Sequence, residues 1–150
     1  MIKFCDNKEE IISLWSSVFG DSDEEISFFI DNLKNGKCLA YYEKGKAVSM
    51  FFLVDCRVGE KKGKYIYAAC TLKEYEGRGY MSRLIDYAGK NFNEFLCLIP
   101  ANESLIDFYS QRGFDKTAEI SELTFNENDE IIEYLFEGYE LKKPLVMLGW

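Results

Sequence analysis

The chain has 150 residues, 47% apolar and 29% charged, with a formal net charge of −8; that is one domain's worth of an ordinary soluble globule, large enough to bury a core without staples. The acidity argues against duplex nucleic acid or an anionic membrane surface as a partner. The complete absence of histidine excludes Ser-His-Asp and Cys-His catalysis, histidine general bases and histidine-containing zinc sites. The longest apolar run, Ala47 to Val54, is far too short to span a bilayer. Five cysteines (Cys5, Cys38, Cys56, Cys70, Cys97), odd in number and without CxxC spacing, read as reduced and mostly buried thiols in a cytoplasmic protein.

Asp6 with Glu9 three residues on resembles a capping box, and Ile11, Ile12, Trp15, Val18 and Phe19 then recur at helical spacing up to Gly20. Asp21 and Glu24 repeat the start signal, and Ile26, Phe29, Ile30 and Leu33 carry a second helix toward Gly36. Cys38 to Tyr42, Ala47 to Val58 and Tyr65 to Leu72 are rich in aromatic and β-branched residues and are separated by turn signals, so three antiparallel strands follow. After the Gly77 to Gly79 turn, Met81, Leu84, Ile85, Ala88 and Phe92 mark a third helix, and Glu94 to Ile99 a short buried strand. Asn102 can cap a fourth helix that carries Leu105, Phe108 and Tyr109 and stops at Gly113. Lys116 to Phe125 alternates as one more strand, Asn128 to Phe136 suits a short helix, and Tyr139 to Trp150, with Pro144, suits an edge strand or an irregular closure. The order α-α-β-β-β-α-β-α-β predicts an α+β fold with an antiparallel meander and a central βαβ crossover.

The strand-to-helix turn from Glu76 to Ser82 admits two readings. Glycines with free amides at a helix start can hold a pyrophosphate without a lysine; a Gly-x-Gly at such a place can equally be only a tight turn. It is neither a P-loop nor a dinucleotide fingerprint, because it lacks the Gly-Lys-Ser/Thr ending and the third glycine.

At this turn the chain resembles the GNAT N-acetyltransferase superfamily, whose Gln/Arg-x-x-Gly-x-Gly/Ala signature falls on Glu76, Gly77, Arg78, Gly79, Tyr80 and Met81. Gly79 fits the central glycine, whereas Glu76 and Met81 depart from the pattern. A second GNAT motif, an Asn seven residues before a Tyr that precedes Gly-Phe, falls on Asn102, Tyr109, Gly113 and Phe114. The segments LWSSVFGDSD, YIYAACTLKEYEGRGYMSRL and LIPANESLIDFYSQRGF are similar to the GNAT domain of Eis-like acetyltransferases.

The resemblance implies a mixed central sheet flanked by helices, acetyl-CoA as cosubstrate without a metal, and direct attack of an uncharged primary amine on the thioester in a ternary complex. It places Cys70, Thr71, Leu72, Gly77, Arg78, Gly79, Tyr80, Met81, Ser82 and Asn102 at the cosubstrate. The strand ending at Thr71 and Leu72 would offer amides to the acetyl carbonyl, and Tyr109 would protonate the departing thiolate. By spacing alone, Tyr109 shares a stripe with Leu105 and could be only a core aromatic. Glu74 and Asp55 are candidate bases, neither assigned, and Cys70 in an apolar strand is expected to be inert. The competing expectation is a GNAT-like module that binds acyl-CoA without catalysis, as Glu76 and Met81 would suit. The acceptor, and whether the chain is a monomer or homodimer, are left open.

Overall fold

Ile2–Cys5 forms an edge strand, β1, antiparallel to Gly36–Glu43, β2. The structure, a computed structural model, describes residues 1–150. The sequence pattern passes over β1 because four residues carry too short an alternation to register. Helices α1 (Lys8–Phe19) and α2 (Asp23–Asn32) follow, each starting one residue later than expected. Asn7, not Asp6, caps α1 by accepting from the Glu10 N–H, and the capping box of α2 is Ser22 with Glu25 rather than Asp21 with Glu24. Gly20 ends α1 in the left-handed region, as a helix stop requires.

β2, β3 (Lys46–Val58) and β4 (Lys61–Thr71) form the expected antiparallel meander. Residues Ala47 to Val54 of β3 are all buried because both faces of this strand are covered, which is why they read as a continuous apolar run. A 3-10 turn at Lys73–Tyr75 leads to α3 (Tyr80–Asn91), and β5 (Phe95–Leu98) then pairs parallel with β4. The remaining elements are α4 (Ser104–Ser110), β6 (Lys116–Ala118), β7 (Leu123–Phe125), α5 (Asp129–Leu135) and β8 (Val146–Gly149).

Two expectations need correction here. Lys116 to Phe125 is not one strand: a 3-10 turn at Ile120–Glu122 divides it, so that β6 pairs with β8 while β7 pairs with the far end of β3. The tail strand is not at an edge. β8 lies between β5 and β6 in the order β1-β2-β3-β4-β5-β8-β6, and Pro144, without an N–H, sits outside the ladder, ahead of Val146.

The mixed eight-stranded sheet with five helices is the central sheet flanked by helices that the resemblance implied. Its two faces carry separate cores. Ile11, Leu14 and Trp15 of α1 and Ile26 and Phe29 of α2 pack with α5 on one face, whereas Leu84, Ile85 and Ala88 of α3 and Tyr109 of α4 pack on the other. No helix is long and apolar enough to cross a membrane.

Candidate active site

β4 and β5 pair only from Gly63 to Tyr65 against Phe95 to Cys97. Beyond Tyr65, β4 continues to Thr71 with no neighbour on that side, so the sheet opens into a cleft. A bulge deepens it: Met50 stands opposite Cys70 but Phe52 opposite Tyr67, leaving one extra residue on β4, and Ala68 takes a left-handed φ of 56°. The Leu72 N–H bonds to the Val48 carbonyl. By the alternation of an antiparallel ladder, Cys70 and Tyr67 also face β3, and the main-chain groups of Ala68, Ala69 and Thr71 face the cleft.

This geometry commits one of the expected oxyanion donors to the sheet. Leu72 spends its N–H on Val48, the Thr71 hydroxyl is bonded to that of Ser49, and both residues border a different hollow beside α1. Of the two strand residues expected to offer amides to the acetyl carbonyl, Leu72 has its amide bonded within the sheet while Thr71 keeps its own on the open side of β4, and Ala68 and Ala69 line the cleft. Cys70 turns its side chain into the core beneath α1 and α2, where burial pushes its thiol up to about 12 and so disfavours the nucleophilic thiolate.

At the C-terminal end of β4 the turn into α3 is a row of unused amides. Gly77 and Gly79 take φ of 76° and 80°, and no protein group accepts from the N–H of Gly77, Arg78 or Gly79. Gly79 is the N-cap and has no side chain to cap with, so the first N–H groups of α3, on Tyr80, Met81 and Ser82, are orphaned as well. The side chains are engaged elsewhere. Arg78 turns back over the Tyr75 ring and bonds the Glu74 carbonyl; Tyr80 stacks on Tyr41 at 4.1 Å and bonds Glu43; Met81 packs on the α3 core; Ser82 accepts from Arg112. The carboxylate that replaces the usual Arg or Gln, Glu76, faces the hollow beside α1, together with Glu9, Glu10 and Glu74. A pyrophosphate therefore fits a cradle made of main chain, into which no charged side chain intrudes.

The cleft itself is a cavity of about 490 Å³. Tyr109 lines it and is 8% exposed, wedged edge-on between Phe108 and Phe114. Its hydroxyl has no partner in the protein, yet no fully enclosed side-chain N or O atom anywhere lacks one, so this hydroxyl opens onto the cleft. Burial raises its pKa to about 12, against a smaller lowering by Arg112, so it is a neutral donor at any physiological pH. Asn102 also lines the cleft, but it does not cap α4: Glu103 is the N-cap, and the Asn102 side chain instead accepts from the Ser104 hydroxyl. Neither candidate base lies here. Asp55 pairs with Lys64 at 2.6 Å at the other end of β4, and Glu74 lines the α1 hollow, which at about 770 Å³ is larger but lies apart from Tyr109.

A family model for the acetyltransferase (GNAT) domain matches residues 5–117. The chain belongs to the GNAT acetyltransferase family. Solved GNAT structures share its fold. An aminoglycoside 6'-acetyltransferase type Ii superposes with a TM-score of 0.64 at 15% identity, covering 99% of this chain and 95% of that one. A GNAT family N-acetyltransferase (YhbS) from Escherichia coli, solved in complex with CoA, gives 0.58 at 16% identity over 76% of this chain and 67% of that one. A GCN5-related glucosamine N-acetyltransferase region of a fungal multi-domain β-N-acetylglucosaminidase gives 0.63 at 18% identity over 79% of this chain, which spans only 18% of that protein. No curated protein sequence matches the chain.

Sequence reasoning passed over three parts of this GNAT site. The Ala68-Ala69 pair, small residues in an otherwise aromatic strand, was the only local sign of the bulge. Arg112 and the cleft residues Tyr67, Asp21 and Glu137 come from four separate segments and meet only through the fold.

Proposed function

We propose that this GNAT domain transfers the acetyl group of acetyl-CoA to a primary amine, in a ternary complex, within the cytoplasm. The observation that carries the proposal is the unused amide row from Gly77 into α3, on the same strand-turn-helix unit that forms one wall of the cleft holding the free Tyr109 hydroxyl. The amides and the N-terminus of α3 hold the pyrophosphate, and the pantetheine arm runs into the gap between β4 and β5. The amine lone pair attacks the thioester carbonyl carbon, and the cleft-facing amides of Ala68, Ala69 and Thr71 receive the oxyanion. As the C–S bond breaks, the thiolate takes the Tyr109 proton, which solvent restores, and the nitrogen loses its own proton to water. Membership of the GNAT family and the CoA bound in the similar Escherichia coli structure support the same donor, and five buried, unpaired cysteines support the cytoplasmic setting.

Calorimetric titration with CoA, followed by acetyl-CoA thiol release against a panel of amines, tests this reading. CoA binding with amine-dependent thiol release is expected. CoA binding without transfer to any amine would favour the non-catalytic module that Glu76 and Met81 suggest, and absence of CoA binding would remove both readings.

A further inference from the structure

The cleft passes through the sheet. Tyr109 and Leu105 line it from the face that carries α3 and α4, and Trp15 and Phe19 from the face that carries α1 and α2. The cosubstrate enters from the first face, because the amide row of α3 is there. On the acetyl-transfer reading, the opposite mouth is left to the acceptor. Its walls are the rings of Trp15, Phe19, Tyr67 and Tyr139, and the only charged residues lining the cleft are two acids, Asp21 and Glu137, with no Lys or Arg to neutralise them.

Asp21 is fixed in place. The Trp15 indole N–H donates to its Oδ2 at 2.8 Å, leaving the other oxygen free. Glu137 comes from the segment after α5, so the two acids approach from separate parts of the fold. Tyr67 lies between rings, 5.1 Å from Phe29 and 5.8 Å from Trp15, and like Tyr109 its hydroxyl has no partner in the protein.

Resting on the acetyl-transfer reading, we propose that the acceptor is a primary ammonium carried on a flat apolar body, and that Asp21 and Glu137 receive the ammonium and take the proton it must lose before attack. The acids attract the cation to an aromatic mouth, where ring faces also favour it. R–NH3⁺ gives one proton to a carboxylate, directly or through water, and the carboxylic acid returns it to solvent; the neutral amine then moves inward with its lone pair free. The Tyr67 hydroxyl oxygen accepts from the amine N–H and orients it. Burial first, then Asp21 and Glu137, push the Tyr67 phenol well above its ordinary range, so the hydroxyl stays neutral.

The test is the pair Asp21→Asn and Glu137→Gln in one protein. Both changes are isosteric, and the amide introduced by Asp21→Asn retains an oxygen for the Trp15 indole, so folding and CoA affinity are expected to hold. Two acceptors are compared near neutral pH: phenethylamine, which is an ammonium there, and aniline, which is already neutral. The double variant is expected to lose about tenfold or more in kcat/KM with phenethylamine and little with aniline. Equal loss with both, or none with either, overturns the role of the acids, and a higher kcat/KM with spermidine than with phenethylamine overturns the apolar body. If the wild-type protein acetylates no amine, the acetyl-transfer reading fails on its own. Calorimetric binding of phenethylamine to the CoA-bound protein then decides the inference: binding that the double variant loses sustains it, and no binding overturns it.

Discussion

Arg112, just past α4, donates through Nε to the Ser82 hydroxyl of α3 at 2.7 Å while its guanidinium lies 3.5 Å over the Phe108 ring. A third contact, Nη1 to the Phe108 carbonyl, locks it to α4. One cation thus clamps the two helices that flank the cosubstrate path, and it lies close enough to Tyr109 to lower that phenol slightly against burial. Arg112→Leu should cost about 1–3 kcal/mol in denaturant unfolding, from a charge-assisted bond and a stacked ring lost together. CoA affinity should fall too, as the first turn of α3 loosens. Arg112→Lys should recover only part of each, because an ammonium cannot make the planar fork. Unchanged CoA affinity in Arg112→Leu would show that α3 needs no clamp.

Gly79 offers a sharper test of the cradle. A Cβ there would meet nothing within 4 Å, so substitution strains only the left-handed φ of 80°. Gly79→Asn, which tolerates that region, should leave the melting temperature close to wild type, whereas Gly79→Val should cost about 1–2 kcal/mol. Both should weaken CoA by calorimetry, because a side chain enters the space that the phosphates approach. Glu76→Gln, whose carboxylate faces the α1 hollow, should leave CoA affinity unchanged or tighten it.

The contrast between these two positions shows what was legible in the sequence. Gly79 and Tyr109 belong to local motifs, and a turn or a helical stripe is written in neighbouring residues. Arg112 and Ser82 are thirty positions apart, and nothing local joins them. The interior place of β8 escaped for the same reason: Val146–Gly149 is a short apolar run whose position between β5 and β6 is fixed by two partners distant in sequence. The Leu72 amide reads as free in the sequence although it is bonded to Val48, because a bulge changes which amides of β4 lie on its open side and the alternation of the strand conceals it. The helix starts slipped by one residue because Asp6 and Asn7, or Asp21 and Ser22, are adjacent and equally able to cap.

Ala68 is a non-glycine residue held at positive φ in the wall of the cleft. Ala68→Gly relieves about 1 kcal/mol of left-handed strain and loses a similar amount to the freer unfolded chain, so stability should barely move. Acetyl transfer should survive, because the bulge survives. Ala68→Val forces a β-branched residue into the same conformation and should cost about 1–2 kcal/mol more. If the bulge aims the Ala69 amide at the oxyanion, turnover in Ala68→Val should fall about tenfold or more with CoA affinity held. A fall in CoA affinity alone would move the oxyanion donors elsewhere on β4.

Tyr109→Phe separates acid from core. The hydroxyl makes no bond within the protein, so its removal leaves nothing unpaired and should not lower stability at neutral pH. Turnover should fall by about 10²-fold, the low end for general acid catalysis, because CoA thiolate is already a fair leaving group. Alkaline unfolding gives an independent reading. The folded pKa of Tyr109 is about 12 against an ordinary 10.0, so the neutral phenol favours the folded state fully below pH 10, and that contribution is lost as the unfolded chain ionises between pH 10 and 12. The loss is on the order of 2–3 kcal/mol. Tyr109→Phe cannot ionise, so its denaturant midpoint should decline less than that of the wild type across this interval, while at neutral pH the two coincide. Normal turnover together with the shallower alkaline decline would confine Tyr109 to packing and leave the departing thiolate to take its proton from water.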